Sequence, residues 1–131
     1  MATDDLSQII KQTVGEFIED IRDNIFTTDK DQGELMMVAF FFDKMPATAV
    51  ANHVIKMVLP YKKEIENREV SFFITKKSEI FKGLSPDRVD YFADLFQKSP
   101  RKGGISTENK EVVWSYFDTL LDLGERYKKN K

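Results

Sequence analysis

The chain has no cysteine. That removes disulfides, thiolate metal sites and a cysteine nucleophile, and it is compatible with a reducing, intracellular setting such as a cytoplasm. There is one histidine, His53, in 131 residues. A two-histidine metal site and the HExxH arrangement are therefore ruled out, and a serine or threonine nucleophile has a single imidazole to share. The six glycines, Gly15, Gly33, Gly83, Gly103, Gly104 and Gly124, are scattered. Neither a GxGxxG loop nor a GxxxxGK phosphate cradle runs through them. Long apolar runs are also missing: the longest, residues 35–42, has eight residues, against about twenty for a membrane-spanning helix. The first five residues are acidic where a secretory leader is basic, so no export signal and a soluble protein are expected. Charge of one sign is not in excess either, since the formal net charge is −2, which favours neither a general nucleic-acid binder nor an acidic tail.

What is present is an ordinary globular composition, 41% hydrophobic and 32% charged, in a length suited to one core. A chain of this size buries about two thirds of its unfolded surface, so a single domain over residues 1–131 is expected. The clearest amphipathic segment is 106–127. Glu108, Glu111, Ser115, Asp118, Asp122 and Glu125 recur on one side, and Val113, Tyr116, Phe117, Leu120, Leu123 and Tyr127 on the other. Ser106 or Thr107 caps it, and Arg126, Lys128, Lys129 and Lys131 sit at its negative end.

The remaining segments read as helices too. Leu6, Ile9, Ile10, Thr13, Phe17 and Ile21 repeat at helical spacing after a cap at Thr3, predicting a helix to about Asn24. Residues 27–33 lack periodicity and read as a connection. Residues 35–45 are apolar nearly all round, and with Leu, Met and Ala among them they predict a buried helix. Pro46 ends it or opens the next helix, 47–59, and Pro60 kinks the chain or starts a segment reaching 73, with Lys62 and Glu66 as a surface pair. Residues 76–83 read as a polar connection under which Ile80 and Phe81 tuck. Ser85, Pro86 and Asp87 form a strong helix start, with Leu84 stapling onto Val89. Together these predict an all-α bundle of five or six helices.

Residues able to do chemistry are few. His53 lies among Val50, Val54 and Met57 and reads as an ordinary helix residue; an enzyme built around it is the third-ranked alternative. Asp87, Asp90 and Asp94 share one helix face, and Asp118, Asp122 and Glu125 another. Without an EF-hand loop they read as solvated faces rather than a cation site. No cofactor, no metal and no enzymatic activity are expected.

Charge and aromatics say more. Residues 1–34 carry three basic side chains against nine acidic ones, so the rest of the chain is net positive. Lys98, Arg101 and Lys102, joined with Lys128, Lys129 and Lys131, make a basic patch, and Arg101, Lys102, Lys128 and Lys129 would contact phosphate if the protein binds nucleic acid. The same asymmetry suits self-association. Trp114, at the margin of the C-terminal apolar stripe, is expected to be partly exposed and, with Tyr116 and Tyr127, to anchor a protein partner. The favoured reading is a non-enzymatic interaction or structural module; the alternative is a nucleic-acid-associated protein.

The run Ile80, Phe81, Lys82, Gly83, Leu84, then Val89, Asp90, Tyr91, Phe92, and later 112–120 (Val112, Val113, Trp114, Ser115, Tyr116, Phe117, Asp118, Thr119, Leu120) resembles small helical proteins of large nucleocytoplasmic DNA viruses. The resemblance covers residues 60–127 and carries no catalytic motif. It implies a viral accessory or virion-associated protein, working in a host cytoplasm or virion.

Overall fold

Periodic apolar residues become helices throughout the computed structural model, which describes residues 3–130, with side chains from Asp5 onward. In order these are α1 (Thr3–Asn24), α2 (Asp29–Lys44), α3 (Ala47–Val58), a single turn α4 (Lys62–Glu66), α5 (Ser71–Ile80), α6 (Pro86–Gln97) and α7 (Thr107–Asn130). Apart from that turn there are six helices, and among the described residues there is no strand, as an all-α bundle requires. The expected cap at Thr3 and the cation Lys131 lie outside the described side chains.

The core is one cluster to which every full helix contributes. Helix α1 supplies Leu6, Ile10, Val14, Phe17, Ile18 and Ile21, and it packs on α2, α3 and α7. Helix α7 buries Val113, Trp114, Phe117, Leu120, Leu121, Leu123, Gly124 and Tyr127. Gly124 lets α3 come close: its Cα side faces Ile55, Leu59 and Val58 at 3.6–3.9 Å from where a methyl would sit. Much of the core is ring on ring. Phe73 stacks on Phe96 at 4.7 Å, Phe81 stacks on Phe92 at 5.1 Å, and Phe72 meets Phe117 edge-on at 5.1 Å. Such pairs add roughly 0.5–1.5 kcal/mol each beyond area burial.

Several expected boundaries shift. The connection expected at 27–33 is mostly helix, because Thr28 caps α2: its Oγ1 accepts the Asp31 N–H at 3.2 Å, and Asp29 and Asp31 occupy the first turn. The segment expected to run to residue 73 is interrupted after α4, where Arg68 takes a left-handed backbone (φ 55°) that ends the turn. Arg68 is held there by side-chain bonds. Its Nη1 and Nη2 reach both Asp118 oxygens at 2.8 Å, Nη2 also reaches Glu111 at 3.1 Å, and the guanidinium stands 5.7 Å from the Trp114 ring. The Asp118 carboxylate, first among these, raises the Arg68 pKa above its ordinary value.

Residues 76–80, expected as connection, belong to α5, although Ile80 and Phe81 are buried as anticipated. Lys62 pairs with Glu125 of α7 at 3.0 Å rather than with Glu66. Pro86 opens α6 behind Ser85, which makes no side-chain cap bond. At α7, Ser106 is the cap, its Oγ accepting the Asn109 N–H at 3.0 Å.

Candidate interaction surface

Helix α2 is apolar on both sides, and only one side finds a neighbour. Asp31, Leu35, Val38 and Phe42 recur every three or four residues and are buried. The outward residues are not: Met36 and Met37 are 57% exposed, Phe40 59% and Phe41 41%. The expectation of a buried helix is thus corrected to a helix with one buried face, because its inner face meets α1 and α6 and nothing among the described residues covers the outer one. At about 100° per residue, Asp29, Gly33, Met36, Met37, Phe40 and Lys44 fall on a single outward stripe. Single exposed apolar residues are ordinary. Four contiguous ones on one helix are not, since each, still about half exposed, leaves roughly 1 kcal/mol of burial unrealised.

The stripe is rigidly held from behind. At the C-terminal end of α2, the Lys11 ammonium of α1 donates to the carbonyls of Asp43 (2.9 Å) and Met45 (2.8 Å), satisfying acceptors that a helix end leaves open. At the N-terminal end a charged knot joins α2 to α6. Arg88 donates to Asp31 at 2.7 Å and to Glu34 at 2.6 Å, its guanidinium lies 4.1 Å from the Tyr91 ring, and the Tyr91 hydroxyl donates to Asp31 at 2.8 Å. Beside the stripe, a groove of about 580 Å³ runs between α1 and α2, lined by Lys11, Gly15, Met36, Ala39, Phe40 and Asp43 among others.

No family model, curated protein or solved structure matches this chain. The surface must be read from its own chemistry.

The residues singled out in the sequence land elsewhere. Trp114, expected at a partly exposed margin, is 5% exposed and packs on Phe73 at 4.7 Å; Tyr127 is 2% exposed. The margin is closed from α5, whose Phe72 and Phe73 rings face Trp114, while α1, α3 and α4 flank the rest of α7. Tyr116 is half-buried and turned toward α1, donating its hydroxyl to Asp20 at 2.9 Å. The basic residues do not form one patch. Arg101 and Lys102 lie in the 3-10 turn before α7, and Lys128 and Lys129 at its far end, so the groups stand roughly 30 Å apart at 1.5 Å per residue.

His53 bridges α3 to α5, its Nε2–H donating to the Glu79 carbonyl at 3.0 Å, with Phe42 beside the ring at 5.6 Å. Five of the six carboxylates on these faces meet cations: Asp90 meets Lys77, Asp94 Lys98, Asp118 Arg68, Asp122 Arg126 and Glu125 Lys62. Among the described residues no group of three or more acidic or imidazole ligands is placed to hold a metal, and no helix is long and apolar enough to cross a membrane.

Met36, Met37 and Phe40 were missed because an all-round apolar run reads as interior. The available signal was its frame: Asp29, Lys30, Asp43 and Lys44 at both ends mark a helix lying at the surface.

Tyr116 gives a pH test of the α1–α7 contact. Burial, then its bond to Asp20, pushes the phenol pKa up to about 12; Tyr91 is raised as well, by burial and then by its bond to Asp31. Because the folded pKa is the higher one, this stability is fully present below the unfolded value of about 10 and is lost as pH rises from there through the folded value. Melting temperatures between pH 9 and 12 are expected to fall for the wild type and to fall less for Tyr116→Phe. Equal slopes would contradict the assignment.

Proposed function

We propose that the chain is a non-enzymatic protein-interaction module whose docking element is the outer face of α2. The observation that carries this reading is the exposure of Met36, Met37 and Phe40 on a helix that Lys11 and Arg88 hold in place from behind. A preorganised apolar face costs little ordering entropy on association, and large apolar anchors at its centre carry most of an interface's energy. Methionine adds adaptability, since its flexible thioether fills irregular partner surfaces. The resemblance of residues 60–127 to helical proteins of large DNA viruses extends the proposal to a viral accessory or virion-associated role; that extension rests on the resemblance alone. A nucleic-acid role loses support from the separation of Arg101 and Lys102 from Lys128 and Lys129.

The test is the double variant Met37→Asp/Phe40→Asp. Both side chains are more than half exposed, so the heat-denaturation midpoint is expected to hold. Association through the face, followed by sedimentation, is expected to weaken by about tenfold or more. Unchanged association sinks the reading, and so does loss of folding, which would make the face structural.

A further inference from the structure

The outward stripe of α2 is complementary to itself when reversed. Two copies of a helix packed antiparallel about a twofold axis bring residues level whose numbers add to a constant, and an axis between Met36 and Met37 makes that constant 73. Gly33 then comes level with Phe40 of the second copy, Asp29 comes level with Lys44 of the second copy, and the four methionines lie astride the axis. All of these residues lie on the one face, and all are exposed.

Each level is chemically matched. Gly33 has no side chain, and the space where a methyl would sit is open to 4 Å and beyond. It is a notch two turns along the stripe from the most exposed phenylalanine of the same helix. Glycine at such a helix position weakens the monomer's helix relative to alanine, which close approach of a second helix offsets. The stripe ends in opposite charges. Asp29 in the first turn and Lys44 in the last make no ion pair among the described residues, and reversal sets each facing the other twice. Lys44 already leans over the Phe40 ring at 4.4 Å, so it lies along the same seam.

We infer that the partner of this face is a second copy of the chain, and that the protein forms a twofold antiparallel dimer through α2, with Phe40 seated over Gly33 and Asp29 paired with Lys44 across the seam. The inference rests on the interaction-module reading and specifies its partner. A single helix of this length buries less than a standard interface, so the dimer is reversible and concentration-dependent.

Sedimentation equilibrium of the full chain up to about 200 µM, a range that captures micromolar and weaker dimers, tests it. Twice the 15.2 kDa monomer mass is expected, with dissociation favoured at least tenfold by Phe40→Asp while helical circular dichroism is retained. The register has its own signature. Asp29→Lys and Lys44→Asp should each weaken the dimer several-fold, and an equimolar mixture of the two should regain it as a mixed dimer, because both seams then carry opposite charges. No structural role within one chain produces that rescue.

A wild type that stays monomeric throughout overturns the inference, and so does a dimer indifferent to Phe40→Asp or a mixture without rescue. If the monomer instead sediments with vesicles of anionic phospholipid in a Phe40-dependent way, the face is a lipid contact and both readings fall. If it forms a Phe40-dependent complex with a different purified protein, the dimer falls and the module reading stands.

Discussion

Asp31→Ala is expected to lower the unfolding free energy by about 3 kcal/mol, a large part of what a domain of this size has. The Asp31 side chain is 5% exposed, and its two oxygens serve two donors, Arg88 Nη2 at 2.7 Å and the Tyr91 hydroxyl at 2.8 Å. Deleting it leaves a hydroxyl without an acceptor and a guanidinium, itself 20% exposed, with Glu34 alone. The cost lies in stranding those groups rather than in the net worth of the pair, which desolvation largely cancels. Two controls follow from that distinction. Asp31→Asn keeps an acceptor and should cost less than half as much, and Arg88→Met in the alanine background should recover part of the loss. Urea unfolding monitored by circular dichroism measures all three. An alanine variant within about 0.5 kcal/mol of wild type, the usual range for surface changes, would show the knot to be incidental.

Gly104→Ala is expected to cost about 2–4 kcal/mol, because a methyl group there would overlap the backbone carbonyl of Lys98. The loop between α6 and α7 folds back on itself at this point. The Gly104 N–H donates to the Ser99 carbonyl at 3.0 Å, the Ile105 N–H reaches the Leu95 carbonyl at 3.2 Å, and Lys110 Nζ donates to the same Lys98 oxygen at 2.7 Å. Relieving the overlap means giving up some of these bonds and lifting Ile105 from the core. Gly15 supplies the contrast, since nothing lies within 4 Å of its would-be methyl and its helix favours alanine; Gly15→Ala should raise stability by about 0.5–1 kcal/mol. Equal and small effects at both sites would refute the argument.

These features were unevenly legible in the sequence. Helices α1, α6 and α7 follow from apolar spacing and from end signals such as Pro86 and Ser106, which act within a few residues. The break at Arg68 was not legible, because arginine seldom adopts a left-handed backbone and does so here through contacts with Asp118 and Glu111, some 43–50 residues away. Burial of Trp114 was hidden likewise: periodicity places a residue on a face, and tertiary packing decides how wide the covered arc becomes. The separation of the two basic groups was legible in principle, since a helix predicted over 106–127 already holds its ends roughly 30 Å apart. The outer stripe of α2 was the least visible feature, for an apolar residue carries no label saying whether its neighbour belongs to its own chain.

The methionines on that stripe carry a chemical liability as well. Met57 is shielded in the core and Met45 is half-covered, whereas Met36 and Met37 present their thioethers to solvent. With no thiol in the chain to react first, peroxide reaches these two sulfurs before those of Met45 and Met57, and each sulfoxide formed sets a strong dipole in the middle of the outer α2 stripe. Among the described methionines, oxidative damage is thereby concentrated on the outer face of α2, while the helices behind it are spared.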